Sequence, residues 1–246
     1  MTAQSADPPS RVPRFGGASL PSQESRFGEA DQLYADRANV SSARRAAQIW
    51  RTELAGGGAG AFDAASKLAR ADYWLGGHAP EAERRKWFEE GIEAGRKAVA
   101  LQPNRPEGHF WMAANMGVLA ESFGLRQGIK YRKPIKESLE TVLRLSPSFQ
   151  QGSADRALGR WYFKVPRLFG GSYALAEQHL RESLKYNPDS TASHFFLADV
   201  FLDAGRKSDA RAELQKVLDA PFDPEWTPED REFKDKASQL LANLKI

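Results

Sequence analysis

The four-residue stretch LQPN at residues 101–104 recurs along the chain as LSPS at 145–148 and as YNPD at 186–189. A looser copy follows at Ala220 and Pro221. The prolines of successive copies are 44, 41 and 33 residues apart. Because proline cannot continue a helix, a motif that returns at such intervals marks the ends of successive structural units. The sequence therefore predicts a chain built from stacked repeats.

The shortest of these intervals is close to the roughly 34-residue period of tetratricopeptide (TPR) repeats, each a helix–turn–helix unit. Gly205 lies in the middle of this unit, where a tight turn favours a residue without a Cβ. Apolar residues on either side follow the i, i+4, i+7 spacing of one helical face. They are Leu197, Ala198 and Phe201 before the turn, and Ala210, Leu214 and Val217 after it.

The same helical pattern extends toward both ends of the chain. Residues 31–54 are predicted as one helix, and residues 62–74 and 81–101 as a helical pair. At the other end, Thr227 is predicted to cap a last helix that has Pro228 in its first turn and covers the final pair. With no alternating strand pattern, the fold class is predicted to be all-α, a TPR-like α-solenoid of about four helical pairs with a C-terminal capping helix over residues 28–246.

Residues 1–27 are predicted to form a disordered tail, because they carry four prolines and no periodic apolar pattern. They contain no apolar run of the kind that a secretory signal needs. The chain has no cysteine for a lipid anchor. Taken alone, these features favour a cytoplasmic location. No stretch approaches the roughly 18 apolar residues of a transmembrane helix, so no membrane span is expected.

Composition and charge argue against several kinds of chemistry. The 35 basic and 32 acidic residues leave a net charge of +3, which gives no reason to expect a nucleic-acid partner. The absence of cysteine excludes disulfides and cysteine-ligated zinc. The four histidines do not have the spacing of a metal motif. We therefore expect no catalytic residue, no metal ligand, no cofactor and no enzymatic activity.

Several strings go beyond what a generic repeat requires. They are GHFWMAANMG at 108–117, IKYRKPIKESLE at 129–140, GSADRALGRWYFKVPRLFGG at 152–171, PDSTASHFFLADV at 188–200 and DAPFDPEWTPEDREF at 219–233. Over residues 29–245 the chain resembles the T component (TatT-like) of TPR-associated TRAP transporters. A weaker resemblance is to the regulators of microtubule dynamics, which also use divergent TPR helices.

The first resemblance implies an accessory transport subunit. Such proteins are TPR solenoids that assemble, as trimers, with a periplasmic solute-binding protein. They are thought to pass small hydrophobic or organic-acid ligands through a pore. This would place the protein in the periplasm, in contrast to the location that the first residues favour. The alternative is a general TPR scaffold that binds a segment of a client protein in its groove.

Two helices carry the candidate ligand-binding residues. The helix over 108–124 is apolar nearly all round, so it must be covered on every side or face a nonpolar cavity. On the helix over 154–165, three cations stand at i, i+4 and i+8, where like charges repel by roughly 0.2–0.5 kcal/mol per pair and call for an anion. Together they predict a passage for an organic anion with an apolar tail. The predicted set is Met112, Asn115, Arg156, Arg160, Trp161, Phe163 and Lys164.

Structural explanations of the same residues remain open. Asn115 would serve equally well as an inter-helix hydrogen bond that satisfies a buried amide. The three cations would be equally well explained by a solvated flank or by ion pairs to a neighbouring helix. A second basic cluster, Arg126, Lys130, Arg132, Lys133 and Lys136, is interpreted either as a solvated surface or as a surface for an acidic partner.

Overall fold

The computed structural model describes residues 23–244, which form an all-α solenoid. Eleven α-helices follow one another in this range, with a short 3-10 helix at Arg167–Phe169 between the seventh and eighth. They are α1 Gln23–Ala35, α2 Val40–Gly56, α3 Ala61–His78, α4 Glu81–Leu101, α5 Pro106–Ser122, α6 Leu125–Leu145, α7 Ser153–Lys164, α8 Tyr173–Ser183, α9 Thr191–Asp203, α10 Lys207–Asp219 and α11 Thr227–Asn243. The predicted fold class is confirmed.

Each helix packs on its neighbour in sequence, so α1–α10 form five antiparallel pairs and α11 covers the last of them. Within the described residues the pairs bury two large apolar cores, and Phe62, Ala65 and Ala98 form a small third cluster. The first extends from Ala30 to Trp161, and the second from Ala176 to Ala237. Tyr162, on α7, packs against both cores. The middle of the chain therefore joins two halves that are each held by hydrophobic burial.

The prediction of one helix over residues 31–54 was wrong, because the chain turns between α1 and α2. Asn39 makes this break, since its side chain accepts a hydrogen bond from the Ser41 amide at 3.1 Å and caps α2. The turn adds one helical pair to the predicted four. Of the predicted disordered tail, residues 1–22 lie outside the described residues, and residues 23–27 are the start of α1.

The cap of the last helix also differs from the prediction. Thr227 is the first residue of α11, and its hydroxyl donates to the Asp223 carbonyl at 2.8 Å instead of capping the helix. The proline is in the first turn as expected, because its missing N–H is one that a helix start leaves unpaired anyway.

A close approach of α4 to α5 explains two glycines where a TPR repeat usually has larger residues. A Cβ on Gly91 would lie 2.4 Å from Oδ1 of Asn115, and one on Gly95 would lie 2.7 Å from Cβ of Met112. Side chains on α4 would therefore push α5 away. Helix α5 is apolar nearly all round because it packs against four other helices, α3, α4, α6 and α7.

Candidate functional site

The concave face of the solenoid encloses a cavity of about 1130 Å³. Residues of α5, α6, α7, α9 and α11 form most of its wall, and the segment before α11 and single residues of α1 and α3 contribute to the rest. Many of the lining side chains are aromatic: Tyr34, Tyr73, Phe110, Trp111, Trp161, Phe195 and Phe196. A concave, mostly apolar surface with a few charged groups is the usual form of a binding site.

A contact between the two ends of the solenoid closes one side of this cavity. We call it the clasp. It joins Arg37, Arg70 and His78 to Glu225, Glu229 and Glu232. Arg37 donates from Nε to Glu229 Oε1 at 2.9 Å and from Nη2 to the Glu225 carbonyl at 2.6 Å. Because Tyr34, Trp226 and Glu229 also line the cavity, the clasp forms part of its wall.

Arg37 is the buried centre of the clasp, with 3% of the residue exposed. Its guanidinium lies 5.2 Å from the centre of the Tyr34 ring and 5.4 Å from that of Trp74. The Trp74 indole N–H donates to the Arg37 carbonyl at 2.7 Å. Burial alone would lower the pKa of Arg37, but the hydrogen bonds and charge of Glu229 outweigh it and raise that pKa. The cation is therefore held by aromatic faces and by a carboxylate.

His78 adds a titratable pair to the clasp. Its Nε2 is 2.5 Å from Glu232 Oε1, its Nδ1 is 2.7 Å from the Trp74 carbonyl, and its ring stacks on Trp74. Burial opposes protonation, but the hydrogen bonds to Glu232 and to the carbonyl outweigh it, so the pKa of His78 is raised. Burial likewise opposes ionisation of Glu232, and the bond to His78 reverses that effect and lowers the pKa of Glu232.

These opposite shifts predict a pH window for the clasp. Because the pKa of His78 is higher in the folded than in the unfolded protein, the pair contributes its full stability below the unfolded-state pKa near 6.5. This contribution is lost as the pH rises through the folded-state pKa. Because the pKa of Glu232 is lower in the folded than in the unfolded protein, its contribution to stability is complete above the unfolded-state pKa of about 4.3. It is lost as the pH falls through the folded-state pKa. We therefore expect the difference in unfolding free energy between the parent and His78→Gln to be largest near about pH 5.5 and to shrink by pH 9.

Urea unfolding at several pH values measures this difference. The matched control is His109→Gln, because among residues 23–244 the His109 ring bonds the Pro103 carbonyl, at 2.9 Å, and no carboxylate. A His78→Gln difference that stays constant with pH, or that follows the His109→Gln difference, would contradict the assignment of the pair.

The three predicted cations of α7 have different surroundings. Arg160 is ion-paired: it donates to Glu121 at 3.0 and 3.2 Å and to Asp199 at 2.8 Å. Burial lowers its pKa, but these two carboxylates outweigh that effect and raise it. Lys164 is exposed at the rim of the cavity, with its ammonium 4.8 Å from the Phe163 ring. The counter-charge expected for Arg160 is thus supplied by neighbouring helices.

Arg156 lines the cavity without such a partner. Within residues 23–244 its guanidinium makes no hydrogen bond, ion pair or close contact with an aromatic face. Burial lowers its pKa to about 10, and the charges of Tyr73 and Asp230 oppose this shift only in part. Asp230 is itself engaged, since it accepts from the Thr191 hydroxyl at 2.6 Å and from the Asp223 amide at 2.8 Å. Arg156 is therefore a half-buried cation in the wall of a mostly apolar cavity, and its guanidinium donors have no partner among the described residues.

The other predicted site residues divide between the cavity and the core. Trp161 lines the cavity, and its indole N–H donates to the Arg132 carbonyl at 2.9 Å. Phe163 packs on Tyr173 in the second core and is not part of the cavity wall. Met112 and Asn115 face α4 rather than the cavity, so they do not lie opposite the α7 cations.

Asn115 makes the inter-helix bond that the sequence left open. Its amide nitrogen donates to the carbonyls of Ala69 at 2.9 Å and Trp111 at 2.8 Å, and the residue is fully buried. Its place is thus explained by packing, and a role for Met112, Asn115 or Phe163 in ligand binding stays a prediction.

The clasp was missed by the sequence analysis. Arg37 and Glu229 are 192 residues apart, and neither occupies a repeat position that would suggest contact. The described residues contain no group of three or more His, Asp or Glu residues that could hold a metal ion. None of their helices has both the length and the apolar character needed to cross a membrane.

Most of the chain matches models of known protein families. Residues 27–169 match the family model described as "Regulator of microtubule dynamics protein 1-3", and residues 170–227 match a tetratricopeptide repeat model. Regulator of microtubule dynamics protein 3 of Rattus norvegicus is 23% identical over 176 residues. That match covers 65% of this chain and 36% of the rat protein, so the chain spans only about a third of this relative's length.

A solved structure supports the same fold. A thermophilic TPR protein of Thermus thermophilus is 20% identical, with a TM-score of 0.67, and the match covers 90% of this chain and 100% of that one. At this identity the likeness concerns the fold alone. The family match is thus to the group that the strings resembled more weakly, and the likeness to the transporter T component stays a prediction.

Proposed function

Since the chain belongs to the regulator of microtubule dynamics protein 1-3 family and continues into a tetratricopeptide repeat, we propose that it is a non-enzymatic scaffold that binds a segment of a partner protein in its concave cavity. TPR solenoids use the inner faces of stacked helices as extended binding surfaces. The inner helices α5, α7 and α9 form that surface in this protein.

The observation that carries the proposal is Arg156 in the aromatic cavity. Arg156 is half-buried and its guanidinium donors have no hydrogen-bonded partner among the described residues, so an anion brought by a ligand could take up these donors beside a mostly apolar surface. The aromatic residues around it favour a ligand with apolar groups beside the anion. A protein segment that carries an Asp or Glu next to aromatic or aliphatic side chains has both properties.

The rat relative is named for microtubule dynamics. The property that we carry over from this family is a helical surface for protein partners, because the chain matches only 36% of that relative.

Selection from a displayed library of random peptides tests the proposal. We expect the bound peptides to share an acidic residue flanked by apolar ones. We expect Arg156→Met to weaken the selected peptides about tenfold or more, since a hydrogen bond to a charged group is worth roughly 1.5–3 kcal/mol. Calorimetry on individual peptides measures the loss.

The matched control is Arg144→Met, because Arg144 is exposed and its one hydrogen bond within the described residues goes to Thr141 on its own helix. It should leave peptide affinity unchanged. Arg156→Met should not unfold the protein, since it removes a cation that has no partner to lose. Peptides without an acidic residue, or equal affinity for the parent and Arg156→Met, would overturn the assignment.

A second candidate is the transport role, in which the protein would hold a small hydrophobic or organic-acid ligand and partner a solute-binding protein. It is favoured by the enclosure that the clasp provides and by a cavity volume only slightly above the roughly 300–1,000 Å³ of small-molecule sites. Native mass spectrometry of freshly purified protein distinguishes the two. A retained organic acid and a trimer would support this candidate, whereas an empty protein that binds acidic peptides would support the scaffold.

A further inference from the structure

Four large apolar side chains are exposed together beside the mouth of the cavity. Leu125 and Ile129 stand one turn apart at the start of α6 and are 74% and 60% exposed. Leu168 and Phe169 lie in the 3-10 helix after α7 and are 88% and 43% exposed. We call these four residues the rim patch. Leu125, Ile129 and Phe169 also line the cavity, so the rim patch borders its opening.

Basic residues surround the rim patch. The stretches 124–136 and 164–171 together carry seven Lys and Arg residues and no Asp or Glu. Two of the seven, Lys133 and Lys136, pair with glutamates one turn further along α6. Within the described residues, the other five have no carboxylate partner; they are Arg126, Lys130, Arg132, Lys164 and Arg167.

The rim patch is held in place by the fold. The Arg132 guanidinium lies 5.1 Å from the centre of the Phe169 ring and links the two parts of the patch. The loop after α7 is closed by backbone hydrogen bonds, from the Phe169 amide to the Pro166 carbonyl at 2.8 Å and from the Ser172 amide to the Tyr162 carbonyl at 2.9 Å. Leu168 therefore projects from a fixed loop into solvent, although burial of its side chain would be favourable.

We propose that the rim patch docks the protein on the surface of an anionic lipid bilayer. Exposed apolar side chains ringed by Lys and Arg match the bilayer interface, where apolar groups enter the acyl boundary and cations meet anionic headgroups. A second copy of the chain fits less well, because a symmetric contact would place the five free cations of one protomer against those of the other. Docking here would bring the mouth of the cavity to the membrane.

Co-sedimentation of the full chain with vesicles tests this proposal. The probes are phosphatidylcholine vesicles with and without about 30% phosphatidylserine. We expect binding to the anionic vesicles alone, and weaker binding when salt rises from about 0.1 to 0.5 M, because the screening length shortens. Arg126→Gln with Lys130→Gln should weaken binding about 25-fold, at about fivefold for each cation removed.

Leu125→Ser with Leu168→Ser should abolish binding while leaving the melting curve unchanged, since both side chains are largely exposed. The control for the apolar pair is Leu101→Ser, which alters a 47% exposed leucine at the end of α4. The control for the basic pair is Arg96→Gln with Lys97→Gln, also on α4. Both controls should bind vesicles like the parent.

Other results would overturn the proposal. Equal binding to neutral and anionic vesicles, or no binding to either, would exclude docking on anionic lipid. If the protein were a dimer without lipid, and the double variant Leu125→Ser with Leu168→Ser were a monomer, the rim patch would be assigned to self-association. If the protein bound poly-glutamate but not vesicles, and this binding required both leucines, the rim patch would be assigned to an acidic protein partner. None of these results depends on whether the cavity binds peptides.

Discussion

Replacing Arg37 by methionine is expected to lower the free energy of unfolding by about 2–3 kcal/mol. The residue is 3% exposed and bonds both oxygens of Glu229 as well as the Glu225 carbonyl. Removing one partner of a buried ion pair leaves the other without compensation and typically costs about 3–5 kcal/mol. Glu229 keeps some contact with water, so the expected loss lies at or just below the lower end of that range. The melting temperature should fall by about 5–10 °C.

Urea and thermal unfolding of the full chain measure this loss. The matched control is Arg45→Met, which breaks an ion pair of similar length, 2.7 Å to Glu29, between side chains that are 68% and 43% exposed. An exposed pair contributes about 0–1 kcal/mol, so the control should stay close to the parent. If both variants melt alike, the clasp does not join the ends of the solenoid in solution.

Local patterns were sufficient to predict most of the fold. The repeated prolines and the i, i+4, i+7 apolar spacing depend on a few neighbouring residues, and they located the helical pairs from residue 62 onward. The first pair was missed because residues 36–38, between α1 and α2, contain neither glycine nor proline. Asn39 was the available signal, since it is a strong N-cap residue.

The candidate site was less predictable, because it depends on contacts between distant repeats. The spacing on α7 identified three cations that need a counter-charge, but it could not show which of them already has one. Glu121 and Asp199, which neutralise Arg160, each lie 39 residues away, one before it and one after it. The hydrogen bond of Asn115 was equally hard to predict from spacing, because the Ala69 carbonyl that accepts it belongs to another helix. The clasp joins residues further apart still.

Deleting residues 228–246 is expected to have the largest effect of all, because it removes nearly all of α11. This helix packs against α9 and α10 through the fully buried Ala237 and the partly buried Phe233, Leu240 and Leu241. Full burial of a large apolar side chain contributes roughly 1.5–3 kcal/mol, so these three partly buried side chains together with the buried side chains that α11 covers on α9 and α10 make up a large part of the roughly 5–15 kcal/mol stability of a typical domain. The exposed apolar face of the last pair should then cause aggregation.

The deletion also removes Glu229 and Glu232, so a variant that loses only the clasp is needed beside it. Glu229→Gln with Glu232→Gln keeps the apolar cover of α11 and should melt cooperatively, at a temperature near that of Arg37→Met. The deletion variant should show no cooperative melting at all, because without α11 the second core has no cover on its outer side. An unchanged melting curve for the deletion would contradict the capping role of α11. A deletion that merely matches the double variant would mean that α11 acts through the clasp alone.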